Sequence, residues 1–521
     1  MLDFLIHSPV EHFARETPEH PALRFKGTEM SYADLDRESN RLAHALLDAG
    51  LESHERVGIY MHKSLELGVA IYGILKAGGV FVPLDPFAPV ARTGFMIEDC
   101  RIRFLVTSDA MTSKLTDLPD VARPSLFGAS GRDGLVAKTW EEIRDFPDAS
   151  PEVELIDQDL GYIMYTSGST GHPKGMMHTH HGSVSYARWG ALHVGLRPDD
   201  RVASHAPLHF DLSIFDFFST VQSGATVVLV PEPVTKFPAS WTGYVESEGI
   251  SVVFTVPYTL IEMLHRGAME RFDLSSLRWV LFGGEPFPPK HLRELMAELP
   301  EVRFTNVYGP AEAPSCTCFD VLEITSDDEP IPIGIASRNS EALILDENDA
   351  ECPVGEAGEL CIRSSTLMKG YWNRPELNER VFFFRDSDGP FPHVYYRTGD
   401  VVLRHEDGLL RFLGRKDRMV KTRGHRVELD EVELALTAHD AVSEAAAFTV
   451  PDTSGSRGIL AAVTLHPNRE ATDADIRQAA KERLPGYAVP EEIRIMDDLP
   501  RTSSGKIDRN RLATDAERRA E

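Results

Sequence analysis

Along residues 1–400 the spacing of apolar positions switches repeatedly between two periods. From Leu35 to Ala49 apolar residues recur at helical spacing, and the run ends at Gly50, a residue that suits a helix C-terminus. Arg56 to Met61 (RVGIYM) is then a short apolar run of strand length. Leu65 to Ala77 returns to helical spacing and ends at Gly78-Gly79, and Val80 to Leu84 is again a strand. Leu160 to Met164, Ala225 to Val230, Ser251 to Val256 and Trp279 to Phe282 repeat the strand texture. Alternation of this kind predicts α/β layers with largely parallel sheet. No repeat with a period of roughly 20–50 residues is visible.

Near residue 415 the texture changes. Gly414-Arg415-Lys416-Asp417-Arg418 is short and charged, which suits a linker. It divides the chain into a large part, residues 1–416, and a small α/β domain, residues 417–521. The polar tail Thr514 to Glu521 is expected to fray.

Composition narrows the class. Hydrophobic residues make up 42% of the 521 and charged residues 26%, ordinary globular values that exclude collagen-like, coiled-coil and wholly disordered readings. No run of about 18 uncharged apolar residues occurs, so no membrane span is expected. The N-terminus carries Asp3, His7 and Glu11 and lacks a signal-peptide pattern, so a cytoplasmic location is expected. Five cysteines at these spacings suit reduced thiols and match neither a zinc nor a thioredoxin pattern.

The net charge is −27. Residues 418–521 hold 16 Lys and Arg against 19 Asp and Glu, while residues 1–417 hold 38 against 62, so the acidity sits almost wholly in the large part. That excludes nucleic acid and anionic membrane as general partners. It leaves room for a phosphate ligand gripped by one local loop.

Such a loop is present. Tyr165-Thr166-Ser167-Gly168-Ser169-Thr170-Gly171-His172-Pro173-Lys174-Gly175 follows the strand-like Leu160 to Met164. Its glycines let backbone approach an anion, its hydroxyls add donors, and Lys174 adds a point charge. It is not a Walker loop, since Lys174 follows Pro173 and no Ser or Thr comes next, and it lacks the G-x-G-x-x-G dinucleotide fingerprint.

With this loop the chain resembles the adenylate-forming superfamily of acyl-CoA synthetases, firefly luciferase and amino-acid adenylation domains. The resemblance runs nearly from end to end and in order. It is carried by Met30 to Leu35, Leu75 to Pro86, Asn306 to Glu312, Gly358 to Arg363 and Gly370 to Pro375, then by Tyr396 to Asp400, Gly414 to Asp417, Lys421 to Glu433, Leu484 to Pro490 and Leu499 to Arg509. It implies a large N-terminal adenylate-forming domain of layered sheets and helices and a small mobile C-terminal α/β domain.

It also implies a first reaction that joins a carboxylate to the α-phosphorus of ATP and expels pyrophosphate, where catalysis is mainly positioning and charge neutralisation. On that resemblance Thr166, Ser167, Gly168, Ser169, Thr170, Gly171 and Lys174 hold the β- and γ-phosphates, and Glu312 is the Mg²⁺ ligand. Tyr308 would stack on adenine, with Asn306 and the Gly283-Gly284-Glu285 backbone reading its edge. Asp400, assisted by Arg415, would accept the ribose hydroxyls. Lys506 would be the catalytic lysine brought in by the small domain. The second step, attack of a thiol on the acyl adenylate, would follow rotation about Asp417, after which Lys421 to Arg426 would face the cleft and Gly424 would leave room for a thiol arm. One departure stands out: the family usually has Thr or Ser where this chain has Ala311.

Asp211, in His209-Phe210-Asp211-Leu212-Ser213, occupies the position that salt-bridges a substrate α-ammonium in amino-acid adenylation domains. The rest of the pocket, carried over by motif, is Leu212, Phe215, Thr255, Leu281, Gly283, Val307, Ser315 and Cys316. These residues point to a small neutral amino acid such as alanine, glycine or serine, with proline second. No carrier-protein serine motif follows Lys506, so the expected acceptor is the phosphopantetheine thiol of a separate acyl or peptidyl carrier protein. Free CoA is the alternative acceptor. Arg418, Arg423 and Arg426 are the candidate docking cations for an acidic carrier. A non-catalytic scaffold is disfavoured by the presence of Lys174, Glu312, Asp400 and Lys506 together.

Overall fold

The computed structural model describes residues 4–520 apart from 117, 119–122, 131–135, 169–170, 387–388, 390, 452–456 and 502–506. Two large sheets form its base. In an eight-stranded sheet, Leu160–Thr166, Val80–Pro83, Arg56–Tyr60, Phe104–Thr107 and Ser125–Gly128 lie side by side and parallel. In a nine-stranded sheet, Arg303–Tyr308, Trp279–Gly283, Val252–Thr255, Arg201–Ser204 and Thr226–Leu229 do the same. These strands are buried on both faces, which is why they read as continuous apolar runs rather than alternating ones. Helices Tyr32–Asp48 and Leu65–Lys76 pack between them, the first capped by Ser31, whose hydroxyl accepts from the Asp34 N–H.

The structure departs from the sequence expectation in three places. Residues 340–415 form a third, five-stranded sheet that is wholly antiparallel. Its longest strand, His393–Arg404, alternates buried and half-buried positions, the signature of a sheet with one wet face rather than a parallel core strand. The expected linker is partly strand: Leu410–Arg415 pairs with His393–Arg404, and only the next strand, Met419–Thr422, starts the small domain. The expected frayed tail is helix Arg509–Ala520, because Leu512 and Ala516, four residues apart, bury against Ala446, Phe448 and Leu499.

The small domain has a three-stranded sheet, Val442–Pro451, Arg457–Leu465 and Glu492–Ile495, covered by helices Leu429–Thr437 and Asp473–Lys481 on one side and by Arg509–Ala520 on the other. A separate hairpin, Met419–Thr422 with His425–Glu428, projects from it. All five cysteines are free, and no described helix is long and apolar enough to cross a membrane.

One core position carries a cost. Asp216, on the π-helical turn Phe215–Ser219, is fully buried, and neither carboxylate oxygen has a well-formed hydrogen bond. Burial pushes its carboxyl well above the usual range, against the pull of Lys63. The unfolded chain ionises here while the folded chain holds its proton, so folding stability falls as pH rises from the ordinary carboxylate range toward neutrality. Asp216→Asn removes this titration and is expected to raise unfolding stability at pH 7 by at least about 1 kcal/mol, the scale of roughly one pKa unit of linkage, and by less at pH 4. Thermal denaturation at the two pH values checks this.

Candidate active site

The two parallel sheets direct the C-terminal ends of their strands toward one cleft, the place where open α/β sheets bind ligands. Thr166 and Ser167 end Leu160–Thr166, Asp85 follows Val80–Pro83, Gly283 and Gly284 end Trp279–Gly283, and Gly309 to Glu312 follow Arg303–Tyr308. The small domain closes the other side with Met419, Lys421, Gly424, Arg426 and Tyr487. Gly283 is required by close packing: a Cβ there would lie 2.2 Å from the Val307 carbonyl oxygen.

Glu312 is the electrostatic centre. It has no exposed surface, and both carboxylate oxygens accept from the Arg426 guanidinium at 3.0 and 2.8 Å. Lys174 stands 3.9 Å away and the Tyr371 hydroxyl donates to the same carboxylate. Burial alone would push this carboxyl up, but Arg426 and Lys174 outweigh it and hold Glu312 well below the usual range. Burial, with Arg426 beside it, pushes the Lys174 ammonium down to about 8.

The hairpin that delivers Arg426 is built for a tight approach. Arg423 and Gly424 both have positive φ (47° and 82°), the two-residue turn that matches strand twist. A Cβ on Gly424 would also meet Val256 at 2.7 Å. Gly424 N–H donates to Glu285 Oε2, the Ser167 hydroxyl donates to the Arg426 carbonyl, and His425 stacks on Tyr487 and meets Phe210 edge-on. Arg92 pairs with Glu431, and Leu434 faces Gly171 of the glycine-rich loop. Lys421 enters the cleft, where desolvation lowers its affinity for a proton against the pull of Asp400 and Asp211.

Two of the three cations expected to dock a carrier are otherwise engaged. Arg426 sits on Glu312, and Arg418 is held by Asp430 and Glu433 inside the small domain. Arg423 alone is exposed, pairing with Glu491 at 2.7 Å.

The residues expected around a nucleotide come together only in part. Asp400 accepts from the Tyr308 hydroxyl and from Arg415 (2.6 Å), and Arg415 also grips Asp417 through both remaining nitrogens (2.6 and 2.5 Å). The Asn306 amide donates to the Pro332 carbonyl, and Glu285 receives the N–H groups of Tyr258 and Gly424. In the glycine-rich loop Gly171 N–H closes onto the Gly168 carbonyl; Ser169 and Thr170 lie outside the described residues. So does Lys506. On either side of residues 502–506, Arg501 donates to Glu444 and Ile507 packs against the small-domain cluster of Ala446, Phe448 and Leu512.

Of the expected amino-acid pocket, Asp211, Leu212, Gly283, Val307 and Ser315 line the cleft. Phe215, Leu281 and Cys316 are buried behind that wall. Thr255 faces a second cavity and bonds to His205, while its neighbour Phe254 lines the cleft. Strand residues alternate faces, so a shift of one position exchanges a hydroxyl for an aromatic ring. Tyr186 and Met164 also line it. Neither carries a motif, and their role comes from packing across the sheets. The second cavity, about 230 Å³ against about 120 Å³ for the first, shares Phe210, Leu212 and Gly424 with it and is lined by Lys63, Phe87, Val256 and Arg423.

Residues 10–372 match the AMP-binding enzyme family and residues 431–506 match the AMP-binding enzyme C-terminal domain. The chain is 34% identical over 515 residues to an L-proline–L-prolyl-carrier protein ligase of Pseudomonas fluorescens, covering 98% of this chain and 99% of that protein. It is 34% identical over 502 residues to tyrocidine synthase 2 of Brevibacillus parabrevis, which takes in 96% of this chain but only 13% of that longer protein. Among solved structures it is similar to the amide bond synthetase McbA of Marinactinospora thermotolerans, with a TM-score of 0.87, 25% identity, and coverage of 98% of this chain and 99% of that one. An α/β cleft that gathers a glycine-rich loop, a buried glutamate and a small closing domain thus accompanies full-length similarity, and the chain belongs to the AMP-binding enzyme family of adenylate-forming ligases.

Proposed function

We propose that this enzyme adenylates L-proline with ATP and passes the prolyl group to the phosphopantetheine thiol of a carrier protein. The observation that carries the reading is the match to a prolyl-carrier ligase over 98% of this chain and 99% of that relative. It favours proline over the alanine, glycine or serine suggested by the pocket residues alone. The cleft is compatible: Asp211 offers a carboxylate to the ring ammonium, and Phe254, Tyr186 and Met164 offer apolar walls to the ring methylenes.

In the first half-reaction a proline carboxylate oxygen bonds the α-phosphorus and pyrophosphate leaves. Lys174 and the loop beginning at Thr166 would hold the departing phosphates, Asp400 and Arg415 the ribose, and Lys506 would neutralise charge as it develops. A Mg²⁺ ion, held by Glu312 and phosphate oxygens, would supply further neutralisation. The buried Glu312 suits that role, although Arg426 occupies both its oxygens here, so Arg426 must withdraw first. In the second half-reaction the thiol attacks the acyl carbon and AMP leaves. The second cavity, meeting the first beside Gly424, is the proposed route for the pantetheine arm, and the hairpin carrying Lys421 and Arg426 is the group that faces this step. Asp417 is the proposed pivot, with residues 1–416 as core and 417–521 as the moving domain.

Pyrophosphate exchange measured across the amino acids should be strongest with proline; alanine, glycine or serine exceeding it would overturn the substrate assignment. Asp211→Asn should lower proline-dependent exchange by about 100-fold or more, the scale of one lost buried ion-pair partner. Lys506→Ala should lose exchange by orders of magnitude while ATP binding, read by calorimetry, changes little.

Arg426→Ala and Gly424→Ala should slow carrier loading at least about tenfold and leave exchange within about twofold. Equal loss of both half-reactions in either variant would remove the hairpin from the second step. Supplying CoA in place of the carrier separates the acceptors: efficient release of prolyl-CoA would select the CoA ligase.

A further inference from the structure

Outside the cleft, one group of side chains converges for which the adenylation chemistry has no use. His265 lies in the last turn of helix Pro257–Arg266. His291 and Glu294 lie three residues apart on helix Pro289–Glu298, hence on one face. His265 Nε2 is 3.1 Å from His291 Nδ1, and Glu294 Oε2 is 3.6 Å from the same Nδ1. One donor atom from each residue lies within 4.8 Å of the other two, the one such convergence of three His, Cys, Asp or Glu donors among the described residues.

A single proton does not satisfy this arrangement. If His265 donates to His291 Nδ1, the single lone pair of that nitrogen is engaged and it has no proton to offer Glu294. If Nδ1 donates to His265, the carboxylate is left with no donor in hydrogen-bond range. Two imidazole nitrogens and a carboxylate oxygen facing one point make an electron-rich focus that a cation relieves. Zn²⁺ binds His nitrogen at about 2.0–2.1 Å and carboxylate oxygen at about 2.0–2.2 Å, which places neighbouring ligand atoms of a tetrahedron about 3.3–3.5 Å apart. The spacings of 3.1 and 3.6 Å bracket that range, and small rotations of Glu294 and His265 close the third edge. His265 is exposed and the other two are half-buried, so an ion has access from solvent and water can fill the remaining position.

We propose that His265, His291 and Glu294 form a binding site for a divalent transition metal of the Zn²⁺ class. The helix that carries His265 has Val256 and Thr259 beside the second cavity at its opposite, N-terminal end, and the helix that carries His291 and Glu294 begins a few residues after Gly283 and Gly284 of the cleft. Bound metal would tie the last turn of Pro257–Arg266 to the N-terminal half of Pro289–Glu298 without touching the adenylation residues.

The test uses full-length protein stripped of metal by chelation. Calorimetric titration with Zn²⁺ should show one site of micromolar affinity, and Co²⁺ as an optical probe should give the visible bands of a four-coordinate N/O site. His265→Ala and His291→Ala should each weaken binding at least about tenfold, Glu294→Gln less, with proline-dependent exchange retained in all three. Zn²⁺ should raise the melting temperature of the wild type and not of the His265→Ala/His291→Ala double variant. No binding to the wild type, or the same isotherm and thermal shift in wild type and double variant, overturns the proposal.

Discussion

A carboxylate with no exposed surface is tolerable only with cations against it, and the domain arrangement hangs on that condition at Glu312. In this structure the condition is met from the small domain, by Arg426, with Lys174 and Tyr371 completing the surround. Leaving one partner of a buried pair alone costs about 3–5 kcal/mol, comparable to a large share of the stability of a whole domain. Arg426 therefore does more than decorate an interface. It draws the hairpin 419–428 into the cleft, and with it Lys421 against Asp211 and Asp400, Gly424 against Val256, and His425 between Phe210 and Tyr487. On the proposed reading the same carboxylate takes a metal ion when nucleotide phosphates are present. Glu312 then always has a counter-charge, and which one it has is tied to where the small domain stands.

The same cleft resolves the tension between a net charge of −27 and a polyanionic substrate. Lys174, Arg415, Lys421 and Arg426 are gathered within it, each desolvated, and Arg426 works against the charging of both lysines. Crowded cations in a low-dielectric cleft are individually unfavourable and collectively a site for an anion, because an entering phosphate relieves each of them at once. The acidic bulk surface plays no part in this, since salt screens exposed charges beyond roughly 8–10 Å.

Most of the parallel layers could be read from the chain, because strands buried on both faces leave uninterrupted runs such as Trp279 to Phe282 that have no other economical explanation. The antiparallel sheet at 340–415 could not, since its half-exposed strands mix polar and apolar residues much as loops do. The tail helix was hidden for a similar reason: only Leu512 and Ala516 of its residues sit in the core, too few to mark a period. At the site, loop and motif residues were legible because their chemistry is unusual at those spacings. Phe254, Tyr186 and Met164 were not, being apolar residues among many, and they reach the cleft only because two sheets meet there. Arg426 was legible as part of a motif but not as the partner of Glu312, 114 residues earlier, since nothing local links them.

Arg415 shows how ligand binding and domain position can share one side chain. Its guanidinium is divided between Asp400, the proposed ribose acceptor, and Asp417, the proposed pivot, with all three groups within 2.6 Å contacts. Its planar fork holds both carboxylates with fixed relative orientation, which a lysine point charge would not do. Asp417 in turn accepts the Met419 N–H, so the first residue of the hairpin strand is registered to the same guanidinium. The proposed rotation about Asp417 would either carry Arg415 along, withdrawing it from Asp400, or break the paired bonds to Asp417. A ribose held by Asp400 competes with Tyr308 and Arg415 for the same oxygens and so shifts that choice. On the proposed reading the nucleotide need not reach Asp417 to influence it, because Asp400, which would bind the ribose, is already one bond from the arginine that holds Asp417.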